Sequence, residues 1–140
     1  MKHKLIGLYQ LITGVFGVIL ILFKIPEVVG NSAALFSFIV GIALFAGVAY
    51  SGYALLNSLG NAVKYSIWAQ ALQIISFTVS GAKYLFTGSA FLAIVISDGI
   101  TIKSQLAPIA YSIANVSAAV PVEIKIFVLP VVLLLLLVKK

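Results

Sequence analysis

Residues 5–23, LIGLYQLITGVFGVILILF, form an unbroken uncharged run held between Lys2, His3 and Lys4 on one side and Lys24 on the other. At about 1.5 Å of rise per residue, a helix of this length covers roughly the 30 Å of a bilayer's hydrocarbon layer. Its basic start resembles a signal peptide. The apolar stretch is longer than the usual signal region, however, and no convincing small-x-small cleavage site follows, so it is expected to persist as a helix.

Three more segments read outward from it. Residues 33–56 are apolar and stop at the polar turn Asn57-Ser58-Leu59-Gly60-Asn61, and residues 65–82 lie between Lys64 and Lys83. The fourth, Ile126 to Val138, is short. At roughly 20 Å of helix it crosses only if Lys125 and Lys139-Lys140 snorkel, or if the bilayer thins around it. Pro130 stands near the start of that segment, where a missing N–H costs least.

Composition agrees with lipid as the solvent. Of 140 residues, 63% are hydrophobic and 9% charged, whereas a soluble domain carries roughly a quarter charged residues. All nine basic residues are Lys, opposed by Glu27, Asp98 and Glu123, for a formal charge of +6. Phosphate binding needs cations clustered on one face, and these Lys residues punctuate apolar runs singly or in pairs, so a nucleic-acid partner is not expected. They read as interface anchors beside membrane lipid. The chain has no Cys, which excludes disulfides, thiolate metal sites and cysteine nucleophiles.

Four spans put both termini and residues 57–64 on one side. That side collects Lys2, Lys4, Lys64, Lys139 and Lys140 without an acid, and Tyr9, Tyr53, Tyr65 and Trp68 fall near its interface. The lysine bias and the aromatic belt predict N-in and C-in insertion in a bacterial-type cytoplasmic membrane, with residues 83–125 extracytoplasmic.

Residues 83–125 predict β structure. Ala93 to Lys103 sets Asp98-Gly99 between two β-branched runs, and Asp-Gly supplies the positive φ angles of a tight hairpin turn. From Val116 to Ile126 apolar residues alternate with Ser117, Ala119, Pro121, Glu123 and Lys125, the period of a strand with one covered face. The expected fold is thus a mainly α membrane protein with four transmembrane helices and a small antiparallel β appendage between the third and fourth. Residues 1–82 hold three helices, 83–125 the appendage, and 126–140 the last helix with its Lys tail.

Catalysis and proton coupling usually need an ionisable group in a perturbed setting, and no predicted span contains one. His3 sits at a terminus among lysines, Glu27 in a short loop and Asp98 in a turn. No catalytic, cofactor-binding or metal-binding residue is assigned, and the chain is not expected to be an enzyme. Inside the spans the polar residues are neutral. Gly7, Gln10, Gly14 and Gly17 recur at three and four residue steps, and Ala43, Gly47 and Ser51 at four, patterns that let helices approach closely. Ser66, Gln70, Gln73 and Ser80 make a polar stripe. An amide in lipid lacks water as a partner, so Gln10, Gln70 and Gln73 are expected to face protein. These seams suit an accessory or scaffolding subunit of a larger membrane complex, docking on other membrane subunits or on its own copies. The alternative is an oligomeric channel or small-solute transporter.

Overall fold

The computed structural model describes residues 2–30, 32–79, 82–88, 91–96, 100–105, 110–114 and 122–138. Among them, helix α1 (Lys2–Leu22) is followed by a single helical turn, α2 (Ile25–Val28), and by α3 (Ser32–Leu56). Pro26 stands in the first turn of α2, where its missing N–H leaves no carbonyl unpaired. Helix α4 (Ala62–Ile74) leads without a break into a sheet formed by β1 (Ile75–Val79), β2 (Ala82–Thr87), β3 (Phe91–Ile96), β4 (Ile100–Gln105), β5 (Ala110–Ala114) and β6 (Glu123–Phe127). Helix α5 (Val128–Val138) follows β6 directly.

The architecture is mainly helical with an antiparallel sheet, and only α1 and α3 are long and apolar enough to cross a membrane, so four spans are not established. The third expected helix, residues 65–82, is corrected. Its helix stops at Ile74, and residues 75–79 are a strand. Ile75, Thr78 and Val79 are β-branched and Phe77 aromatic, residue types that favour a pleated strand. Hydropathy measures solvent preference and does not register that change of period. The β region accordingly begins at Ile75, ahead of residue 83, and runs to Phe127, with α5 starting at Val128.

The α3–α4 corner is a backbone motif. Ser58 adopts a positive φ of 53°. The Leu59 N–H donates to the Ala54 carbonyl at 3.0 Å and the Ser58 N–H to the Leu55 carbonyl at 3.3 Å. This pair of bonds closes the orphan carbonyls of a helix end in the Schellman manner.

The sheet order is β4-β3-β6-β1-β2-β5. All of its pairings are antiparallel. The β3–β4 hairpin closes with Ile96 opposite Ile100. The Asp98-Gly99 turn itself lies outside the described residues, as do Ser80 and Pro121. Strands β1 and β6 form the central pair, with Ile75 opposite Ile126, so α4 and α5 join the sheet at the same end of that pair.

The chain divides into two compact units, Met1–Ala69 with Leu136–Lys140, and Gln70–Leu135. The core of the first includes Ile6, Ile21, Phe45, Val48 and Leu55. In the second, Phe86, Val95 and Phe127 are buried.

Candidate functional site

The first unit is organised by a seam between α1 and α3. A Cβ added at Gly14 would lie 2.7 Å from the Ala49 Cα and from the Phe45 carbonyl oxygen. At Gly7 it would meet the Gly52 carbonyl oxygen and the Leu55 Cβ, both at 3.0 Å. At Gly17 it would enter the Phe45 ring, and at Gly52 it would strike the backbone of Gly7 and Leu11. The two helices therefore touch backbone to backbone, an approach that only residues without a side chain permit.

Gly7, Gln10, Gly14 and Gly17 are all buried on this seam side of α1. The face expected on α3 is only partly there. Ser51 is buried, but Ala43 and Gly47 are exposed, and a Cβ at Gly47 would meet nothing within 4 Å. A four-residue step advances about 40° around a helix, so Ala43, Gly47 and Ser51 sweep away from one another instead of lining one side. Small residues occur all round α3, and the packing face is fixed by fit: Phe45 fills the space opened by Gly17, and Gly52 lies against Gly7. Gly52 does not belong to the four-residue pattern of Ala43, Gly47 and Ser51, but its position seven residues after Phe45 places it on the same helical face.

One polar knot ties three helices together. Gln10 is fully buried. Its Oε1 accepts from the Ser66 hydroxyl at 2.8 Å and lies 3.3 Å from the Ser51 hydroxyl, while its Nε2 donates to the Ser66 carbonyl at 3.4 Å. Ser51 has one proton and its Oγ is closer to the Val48 carbonyl, at 2.7 Å, so that bond takes precedence. Gln10 thus spends its amide on α4, which it holds beside α1 and α3.

The second unit begins with two further amides on α4. Gln73 is buried, and its Oε1 accepts from the Gly88 N–H at 2.9 Å. Nearby the Tyr84 hydroxyl donates to the Leu72 carbonyl at 2.9 Å, which fastens β2 to the end of α4. Gln70 differs: it is fully buried, yet neither its Nε2 nor its Oε1 has a hydrogen-bond partner. A buried amide without partners costs on the order of 1–3 kcal/mol in protein settings.

The sheet has two unlike faces. Cross-strand partners share a face, so the register places Ile75, Phe77, Tyr84, Ile94, Ile96, Ile100, Ile102, Ile124 and Ile126 on one side, together with the buried Phe86. The other side holds Ser76, Thr78, Lys83, Thr101, Glu123 and Lys125, with buried Val95 and Phe127. There Lys125 Nζ pairs with Glu123 Oε2 at 3.2 Å, the two being neighbours on one strand face. Among the described residues, no group of three His, Cys, Asp or Glu residues is placed to hold a metal ion.

No family model matches this chain, and neither a curated protein nor a solved structure matches it. Any functional reading therefore rests on the geometry above.

Proposed function

We propose that this chain is a non-catalytic integral membrane subunit that anchors and assembles a larger membrane complex. Four crossings, made by the α1–α3 hairpin together with α4 and the short α5, thread it through a bacterial-type cytoplasmic membrane, with both termini inside and the sheet outside. Support for lipid as the surrounding medium comes from how little of these helices the protein covers. The apolar windows of α1 and of residues 34–56 are 39% and 22% buried, far less than a soluble core helix needs. Leu5, Ile12, Phe16, Phe36 and Ile39 all stand exposed. Tyr50, Tyr53, Tyr65 and Trp68 are exposed around the α3–α4 corner, and the Tyr50 and Tyr65 rings lie 5.7 Å apart, a grouping suited to the headgroup region.

The observation behind an assembly role is that the sheet ends on β4 and β5, each paired on one side only among the described residues. A strand with a free edge offers a row of backbone donors and acceptors to a partner's strand. Partners are other membrane subunits or further copies of this chain.

Extraction from its own membrane in mild detergent is expected to yield a stable complex of fixed stoichiometry. A chain recovered as a soluble monomer without detergent would remove the membrane reading itself. Topology is checked with single thiols in this cysteine-free sequence: an impermeant reagent on whole cells should label Ser112→Cys and leave Ser58→Cys unmodified. One observation favours a second reading, an oligomeric channel or small-solute carrier. The Gln70 amide is buried without a hydrogen-bond partner, which leaves a donor and an acceptor that a bound polar solute would satisfy. A purified homo-oligomer that passes solute in liposomes, and loses flux with Gln70→Leu, would replace the assembly role with transport.

A further inference from the structure

Helices α4 and α5 are too short to cross a bilayer unaided. Their 13 and 11 residues rise about 20 and 17 Å, against roughly 30 Å of hydrocarbon. The deficit of about 10–13 Å equals three or four residues of strand at about 3.3 Å each. No loop intervenes at either junction, since Ile75 follows Ile74 and Val128 follows Phe127. The strand residues next to both junctions thus lie at the headgroup–acyl boundary, where they meet part of the deficit and local thinning of the bilayer meets the rest.

Those residues suit hydrocarbon on one face only. Ile75 and Phe77 of β1 and Ile124 and Ile126 of β6 share the apolar side. Strands β1 and β6 are also interior to the sheet, flanked by β2 and β3, so their backbone groups have partners on both sides. This meets the requirement that no open backbone edge enters the hydrocarbon layer. Part of the apolar side stays uncovered by the chain, although Phe86 on the same face is fully buried and Tyr84 is bonded to α4. Among the described residues, the large apolar residues exposed in the strands, Ile75, Phe77, Ile96, Ile100, Ile102 and Ile124, belong to it, with Ile100 and Ile102 at 77% and 72% exposure.

From this we infer that the apolar face of the sheet is a lipid-binding surface, seated in the headgroup–acyl boundary of the bilayer and continuous with α4 and α5. The inference rests on the membrane reading above. The opposite face carries Lys83 and the Lys125–Glu123 pair, and it is partly covered, since Val95, Phe127, Ser76 and Thr87 on it are buried. The sheet then acts as an amphipathic raft, the strand counterpart of an interfacial helix, and its edges lie at headgroup level where water satisfies them.

Trp68 is the only tryptophan and is exposed, so Trp68→Phe gives a silent background in the full-length chain. Single tryptophans are then placed at Ile102 on the apolar face, at Thr101 on the polar face and at Phe16 on α1. Each protein is reconstituted in phosphatidylcholine vesicles with and without acyl-brominated lipid. Ile102→Trp and Phe16→Trp should lose most of their emission to the bromines and Thr101→Trp should keep it. Ile100→Trp repeats the measurement should the first substitution disturb the hairpin. Quenching at Phe16→Trp without quenching at either isoleucine position would overturn the lipid face while leaving the anchor intact. Unquenched emission at all positions would instead defeat the membrane reading. If the isoleucine positions stay bright and Ile102→Cys cross-links between copies, the face belongs to a second chain and the inference fails.

Discussion

Substituting Gly14 by Ala tests the backbone contact on which the helical unit depends. The new Cβ would sit 2.7 Å from the Ala49 Cα and the Phe45 carbonyl oxygen. Carbon atoms rest at about 3.5–4.0 Å, so α1 and α3 must part by about 1 Å at that level. The obstacle is main chain and cannot rotate aside. Overpacking of this kind costs about 1–3 kcal/mol. Replacing a helical glycine returns at most about 1 kcal/mol of helix propensity, which leaves a net loss of about 1–2 kcal/mol. Gly47→Ala is the matched control: it lies on the same pair of helices, meets nothing within 4 Å, and keeps the propensity gain alone. Unfolding in mild detergent, titrated with sodium dodecyl sulfate and followed by helical circular dichroism, should place Gly14→Ala below the wild type and Gly47→Ala at or above it. If Gly14→Ala resists denaturant as well as Gly47→Ala does, the close approach of α1 and α3 is wrong.

Other perturbations separate satisfied from unsatisfied polar groups. Gln10→Leu leaves the Ser66 hydroxyl with only the Ser51 carbonyl, 3.5 Å away, and should cost about 1–3 kcal/mol in the same titration. A neutral outcome would show that the knot does not hold α4. Gln70→Leu should do the reverse, raising stability by about 1–3 kcal/mol, because an apolar side chain of similar size removes a partnerless amide. Loss of stability at this position would mean that the amide has a partner in the membrane. Ser58→Gly should stabilise by about 1 kcal/mol, since glycine adopts the observed positive φ without the Cβ penalty. Hydrogen exchange at the Leu59 amide reports the same effect, slowing as the corner tightens.

Chain order alone fixed the apolar helices and the hairpin, because each depends on neighbours a few residues apart. Uncharged length marks residues 5–23 and 33–56, found as α1 and α3. The β-branched runs around Asp98-Gly99 mark the pair β3–β4, with Ile96 opposite Ile100. The buried positions of Gly7, Gln10, Gly14 and Gly17 follow from their helical spacing. Tertiary structure decided everything that depends on a distant partner. Residues 75–79 are as apolar as a helix in lipid would be, and they become strand because β6 and β2 pair with them from opposite sides. Ala43 and Gly47 fit a small-residue pattern as well as Gly52 does, yet only Gly52 meets α1, since the large side chain of Phe45 needs the gap at Gly17. The three amides look alike in the sequence: Gln10 is satisfied by Ser66, Gln73 by Gly88, and Gln70 by nothing. Local period and hydropathy are properties of a segment by itself, whereas pairing and steric fit exist only between segments, and that is the physical boundary between what could be read and what had to be seen.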